Sequence, residues 1–144
     1  MVKKVKDISY YEAVGRRKQS VARVRLYLVK KIAEVSVGKL KIKAGEIFIN
    51  GKSVDETSFK AYKKKFLSLP LILTKNENRF AISIIVKGGG TTGQLDAMVH
   101  GIARALLVVD NDVYRPLLKA NGLLTRDPRK KETRKVGTGG KARR

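Results

Sequence analysis

RFAISIIVKGGGTTGQLDAMVHGIARALLVV, residues 79–109, joins two periodicities through a run of glycines. In its first part Phe80, Ile82, Ile84 and Val86 occupy alternate positions, so they share one face of a strand spanning 79–87. The spacing then changes. Leu95, Met98, Val99, Ile102, Leu106 and Val109 recur at three- and four-residue intervals, which lays one continuous apolar stripe along a helix. Thr91 and Gln94 stand at capping-box spacing at its start. Gly93, Ala97 and Gly101 lie four apart on another face, where no side chain blocks the approach of a neighbouring backbone. A strand leading straight into a long amphipathic helix is therefore the organising unit.

Upstream, Tyr10 to Val14 reads as a short β run closed by Gly15, followed by a tight basic connection, Arg16-Arg17-Lys18-Gln19. From Ser20 the chain alternates again. Ala22, Val24, Leu26 and Leu28 face the core, while Val21, Arg23, Arg25 and Tyr27 face outward, presenting two arginines beside a tyrosine. Residues 30–44, KKIAEVSVGKLKIKA, read as an inserted extended hairpin, with Lys39, Lys41 and Lys43 on one face. Glu46 to Ile49 is a further strand ended by Asn50-Gly51, a turn pair that accepts positive φ. Asp55 opens a helix in which Phe59, Tyr62 and Phe66 recur as core contacts, and Pro70 stops it. Leu71 to Thr74 reads as a strand before the turn Asn76-Glu77-Asn78.

Downstream, Asn111 or Asp112 caps a shorter helix with Pro116 near its first turn, Leu117 and Leu118 inward, and Asn121-Gly122 at its end. The domain so defined is residues 1–121. Residues 122–144 carry nine Lys or Arg against two acids, a net +7, with almost nothing to bury. Such a segment does not offset the entropy cost of ordering itself, so alone in water it is expected to be extended and mobile until a polyanion receives it.

The whole chain agrees with this tail. Thirty-three Lys and Arg against twelve Asp and Glu leave +21 on 144 residues. Self-repulsion on that scale favours a partner that brings counter-charge, and a polyphosphate also returns affinity through counterion release. No apolar run is long enough to span a bilayer, and no signal-peptide pattern follows the basic N-terminus, so a soluble cytoplasmic protein is expected, with no membrane partner. Zero cysteines exclude disulfides and thiolate chemistry, and a single histidine, His100, leaves little for a metal site or a triad. No cofactor is expected.

Gly88 to Gly93 matches G-x-G-x-x-G after a strand and before a helix, and Asp110 lies near the distance of a ribose-binding acid. This is the enzyme reading, a dinucleotide-binding protein. Against it, the helical stripe runs through Val109, so the required second strand is missing, and the motif lies too late for a doubly wound sheet. The motif also lacks the Lys-Ser/Thr of a P-loop. The glycines keep a physical role with another ligand, because the amides of Gly89, Gly90 and Thr91 at a helix N-terminus attract any phosphate, one in RNA included. His100 reads as a packed or partly exposed side chain, and Asp110-Asn111-Asp112 as helix capping rather than a divalent-ion site. Arg16, Arg17 and Lys18, with only Glu12 nearby to neutralise them, suit phosphate contact. Few aromatics are left to stack on bases, which favours recognition of backbone and shape. A generic DNA-binding protein is the other alternative.

Three segments, VGRRKQSVARVRL (14–26), KGGGTTGQLDAMVHGIARAL (87–106) and RPLLKANGLLTRDPRKKETRK (115–135), resemble the bacterial small-subunit ribosomal protein S-nine family in order and approximate spacing, with GEIFINGKSVDE between them. The resemblance implies an α+β fold, a two-layer α/β sandwich like the second domain of ribosomal protein S-five, with a left-handed βαβ crossover and an extended basic C-terminal tail. It implies no catalysis. The family's place is the head of the small subunit, on the 3′ region of its RNA among other head proteins, with the tail directed at the anticodon stem-loop of peptidyl-site tRNA. By position, Arg16, Arg17 and Lys18 become RNA contacts of the body, and Arg126, Arg129, Lys130, Lys131, Arg134 and Lys135 line the path of the tail. Family members continue beyond the KARR-like segment into a basic terminus, so here Lys141, Arg143 and Arg144 are the nearest tRNA-proximal residues. The insertion 30–44 is longer than the usual connection.

Overall fold

In the computed structural model, residues 2–5, 8–29, 34–37, 40–57 and 59–137 are described. Lys141, Arg143, Arg144 and Lys39 lie outside them. Two long strands, β2 (Ile8–Arg17) and β3 (Ser20–Leu28), form a hairpin in which Arg17 opposes Ser20. The connection is therefore only Lys18-Gln19, with Lys18 at φ 51°. Such a two-residue turn matches the twist of the strands it joins. Outside β2 lies β1 (Val2–Val5), and two further strands complete this part of the chain: β4 (Val35–Val37) and β5 (Leu40–Ile42), which pair as a separate hairpin. Both strands fall within 30–44, of which residues 30–33 and 38–39 lie outside the described residues.

Next come β6 (Ile47–Ile49) and β7 (Lys52–Ser53), joined through Asn50 (φ 49°) and Gly51 (φ 87°) as the turn pair requires. The Asn50 side chain also replaces a ladder partner: its Nδ2 donates to the Val86 carbonyl at 3.1 Å and its Oδ1 accepts from the Val86 N–H at 2.9 Å. A 3-10 turn at Val54–Glu56 leads to helix α1 (Ala61–Leu73), then β8 (Phe80–Lys87), α2 (Thr91–Val109) and α3 (Asn111–Ala120). The main sheet has the order β1-β2-β3-β8-β6-β7, antiparallel except for the β6–β8 pair. This is an α+β architecture compatible with a two-layer sandwich.

The core face of the sheet follows the alternation in the sequence. Ala22 opposes Val86, Val24 opposes Ile84 and Leu26 opposes Ile82, and all six are buried under α2. Leu95, Met98, Val99, Ile102 and Leu106 supply the helical side of that core. The other face carries a smaller cluster of Tyr10, Tyr27, Ala81 and Ile42, covered by the β4–β5 hairpin. Tyr27 is therefore buried and not part of a solvent face, while Leu28, at the end of β3, is exposed.

Several expectations are corrected. β2 does not close at Gly15 but continues through it. Gly15 is buried where α2 comes closest: a Cβ there would collide with the Ala97 carbonyl and the Gly101 amide. The small-residue face of α2 is what permits that approach. Helix α1 begins at Ala61 and not at Asp55, and it continues through Pro70, so 71–74 is the helix end and not a strand. Proline removes one backbone bond, yet its ring is buried with Leu67 and Leu71, and that burial holds the helix together across it. The core stripe of α1 is thus Leu67, Pro70 and Leu71, which leaves Tyr62 and Phe66 exposed. Gln94 does not complete a capping box with Thr91; the N-cap is Gly90, and Gln94 Nε2 donates to the Gly88 carbonyl at 3.2 Å. In α3 the cap is Asp110, whose carboxylate accepts from the Val113 N–H at 3.2 Å. Leu117 faces outward there, since only Tyr114 and Leu118 are buried.

Candidate nucleic-acid interface

One end of the sheet gathers the residues singled out in the sequence. The Lys18-Gln19 turn and the loop 88–90 pack side by side: a Cβ on Gly88 (φ 75°) would lie 2.6 Å from the Gln19 carbonyl, and one on Gly89 (φ 66°) would strike the Ser20 hydroxyl. Ser20, buried, donates from Oγ to the Gly88 carbonyl at 3.0 Å. These glycines are thus required by left-handed backbone and close approach, without reference to a nucleotide. Gly89, Gly90, Thr91 and Thr92 remain exposed, and no side chain caps α2, so its first amides and the positive end of its dipole face outward beside Lys18. After α2 comes α3 and not a strand, and Asp110 is a helix cap, which removes both partners a dinucleotide site needs.

The basic turn has more acids nearby than its sequence neighbours suggest, and they reach one arginine. Arg17 Nη2 stands 3.0 Å from Asp127 Oδ2, and its Nε stands 3.4 Å from Asp96 Oδ2. Nη1 also donates to the Asp127 carbonyl (3.5 Å) and the Arg129 carbonyl (3.3 Å). Arg17 therefore binds the root of the tail to the β2–β3 hairpin. Arg16 and Lys18 stay exposed.

His100 makes a second link between the same parts. The Arg16 N–H donates to its Nδ1 at 3.5 Å, so Nε2 carries the proton and faces the Leu124 carbonyl at 3.3 Å. Burial lowers its pKa below the ordinary 6.5, and the Arg104 and Arg126 charges lower it further. Leu123 and Leu124 pack against the core beside it. The strap 122–127 thus crosses α2, leaving a groove of about 240 Å³ lined in part by Phe66, Val99, His100, Leu123 and Arg126.

At the end of the strap, Asp127 accepts from the Arg129 side chain (2.6 to 3.0 Å) and backbone N–H (2.9 Å), and these bonds hold its carboxyl well below the usual carboxylate range. Arg129 is exposed yet tied to that local ring. Arg126, Lys130, Lys131, Arg134 and Lys135 are exposed on a stretch without helix or strand. The two β3 arginines differ. Arg23 is exposed, whereas Arg25 pairs with Glu12 at 2.8 Å and stacks 4.8 Å over the Tyr10 ring, so its charge is already answered within the sheet. Among the described residues, no cluster of three His, Asp or Glu is placed to hold a metal, and no helix is long and apolar enough to cross a membrane.

A family model described as ribosomal protein S9/S16 matches residues 15–144. The match opens at the glycine that admits α2 to β2 and takes in the glycine loop, α2, α3 and the basic tail. With some nine-tenths of its residues matched, the chain belongs to the ribosomal protein S9/S16 family, structural constituents of the small ribosomal subunit.

Proposed function

We propose that this protein docks on folded RNA in the head of the small ribosomal subunit through the end of its sheet, and that residues 122–144 act as a basic tail leading from that body. The observation that carries the reading is the double anchoring of the tail's root. Arg17 and His100 fasten 124–129 beside the β2–β3 turn, so the exposed charges of Arg16, Lys18, Arg126, Lys130 and Lys131 leave the body from one end, next to the uncapped start of α2. A cationic end of this kind serves phosphate contact and not base reading.

The protein is a cytoplasmic component of translation by family, and its role there is scaffolding without chemistry. Within the proposal, Arg23 extends the cationic surface across the outer sheet, and the tail continues through Arg134 and Lys135 to Lys141, Arg143 and Arg144 near peptidyl-site tRNA. The reading takes the sandwich to be of the S-five type, whose left-handed crossover would correspond to the connection through α1 between the parallel strands β6 and β8.

Sedimentation of a tagged copy in cell lysate at moderately high salt tests this. Near-stoichiometric migration with the small subunit is expected, and in competition the 3′ region of small-subunit RNA should displace the protein from duplex DNA. Retention in the light fractions, or indifference between the two nucleic acids, would leave a generic polyanion binder.

A further inference from the structure

Tyr62 and Phe66 lie one turn apart on α1; of the three aromatics whose helical spacing suggests a core position, Phe59 packs against the core, but these two remain 64% and 39% exposed. Residues four apart on a helix are neighbours on one face, so the two rings form a single apolar step. Around it are cations: Lys60 and Lys65 are exposed, with no carboxylate paired to either among the described residues, and Lys63 Nζ lies 6.0 Å from the Tyr62 ring. Lys64 is the exception, paired with Asp55 at 3.2 Å. Phe66 also lines the groove beneath the strap, as does Arg126. A hydrophobic protein partner would meet uncompensated lysines here. A partner offering flat apolar rings joined by phosphates would match both features at once.

We infer that the outer face of α1 is a stacking platform for unpaired nucleobases, with Tyr62 and Phe66 under successive bases and Lys60, Lys65 and Arg126 on their phosphates. This rests on the RNA-binding reading above and adds to it, because phosphate contact alone does not distinguish single strands from duplex. The face recognises single-stranded segments, such as a loop or bulge, adjoining the groove that Phe66 shares with Arg16, Arg17 and Arg126.

The test uses the full chain with two probes, a nine-residue oligoadenylate and a perfect twelve-base-pair RNA duplex. Stacking is worth about 1–3 kcal/mol per base, so Tyr62→Leu with Phe66→Leu should weaken oligoadenylate binding at least about fivefold while duplex binding changes less than twofold. The chain holds no tryptophan, so Phe66→Trp supplies a sole indole on the platform that should retain binding and be quenched by oligoadenylate. Equal weakening of both probes, or unchanged binding of both with an unquenched indole, would overturn the platform while leaving the phosphate-binding end intact. Indole emission shifted in assembled subunits but unmoved by oligoadenylate would assign the face to a neighbouring protein and also overturn it. Failure of the unmodified chain to bind either RNA would remove the RNA reading itself, and this inference with it.

Discussion

Gly15 and His100 each do a task that their residue type alone explains. At Gly15, any side chain meets the backbone of α2 and not a yielding side chain, so Gly15→Ala should force helix and sheet apart and cost about 1–3 kcal/mol, measured by chemical denaturation. A loss within experimental error would mean that β2 and α2 are not in such close contact. His100 gives stability a pH dependence of definite sign. Its folded pKa is depressed, so between that value and 6.5 the unfolded chain binds more protons. Its contribution is complete above about 6.5 and declines as pH falls through that value, levelling off below the folded pKa. Denaturation series from pH 7.5 to 5.5 should show this slope, and His100→Gln should flatten it. The alternation in β3 and β8 made the core legible at this scale. Arg17 was not legible, because the acids that pair with it, Asp96 and Asp127, are 79 and 110 residues away in sequence.

At the scale of elements, β3, β8 and the long helix were readable because a single period dominates each, whereas β2, with no such alternation, was read short. Helix α1 was not readable. Its aromatics and its leucines propose two stripes of different phase, and the leucine stripe prevails because Leu67, Pro70 and Leu71 are the side chains that meet the main core. The same misphasing hid the aromatic step, since rings assigned to the core are not sought on the surface. The strap over α2 was unreadable for another reason: Leu123 and Leu124 are too few to mark an element, and Arg17 and His100 fix its path from outside. Arg17→Ala should therefore release the strap without unfolding the body. Backbone order parameters at 125–129 are expected to drop below about 0.6, while stability changes by about 1 kcal/mol or less. Unchanged order there would show that Leu123, Leu124 and His100 hold the strap without Arg17.

Across the whole molecule, charge is the feature that sequence and structure express most alike. Thirty-three Lys and Arg are too many for twelve Asp and Glu to neutralise, which leaves +21 on 144 residues. Among the described residues, five of those acids, Glu12, Glu34, Asp55, Asp96 and Asp127, are paired with arginine or lysine. Of the cations left over, the fold brings Arg16 and Lys18 at the β2–β3 turn beside the root of the tail, while Lys60 and Lys65 stand on α1, which connectivity alone does not reveal. Binding to small-subunit RNA should accordingly be strongly salt-dependent. If ~6–10 phosphates are contacted, affinity falls ~10³–10⁵-fold between 50 and 200 mM salt. The tail contains more than a quarter of the basic residues, nine of thirty-three. The decisive measurement is that salt slope for the full chain beside a chain lacking 126–144, which keeps Leu123 and Leu124 on the core. A folded body with weaker affinity and a clearly shallower slope is the predicted result. An unchanged slope would contradict a phosphate-binding tail.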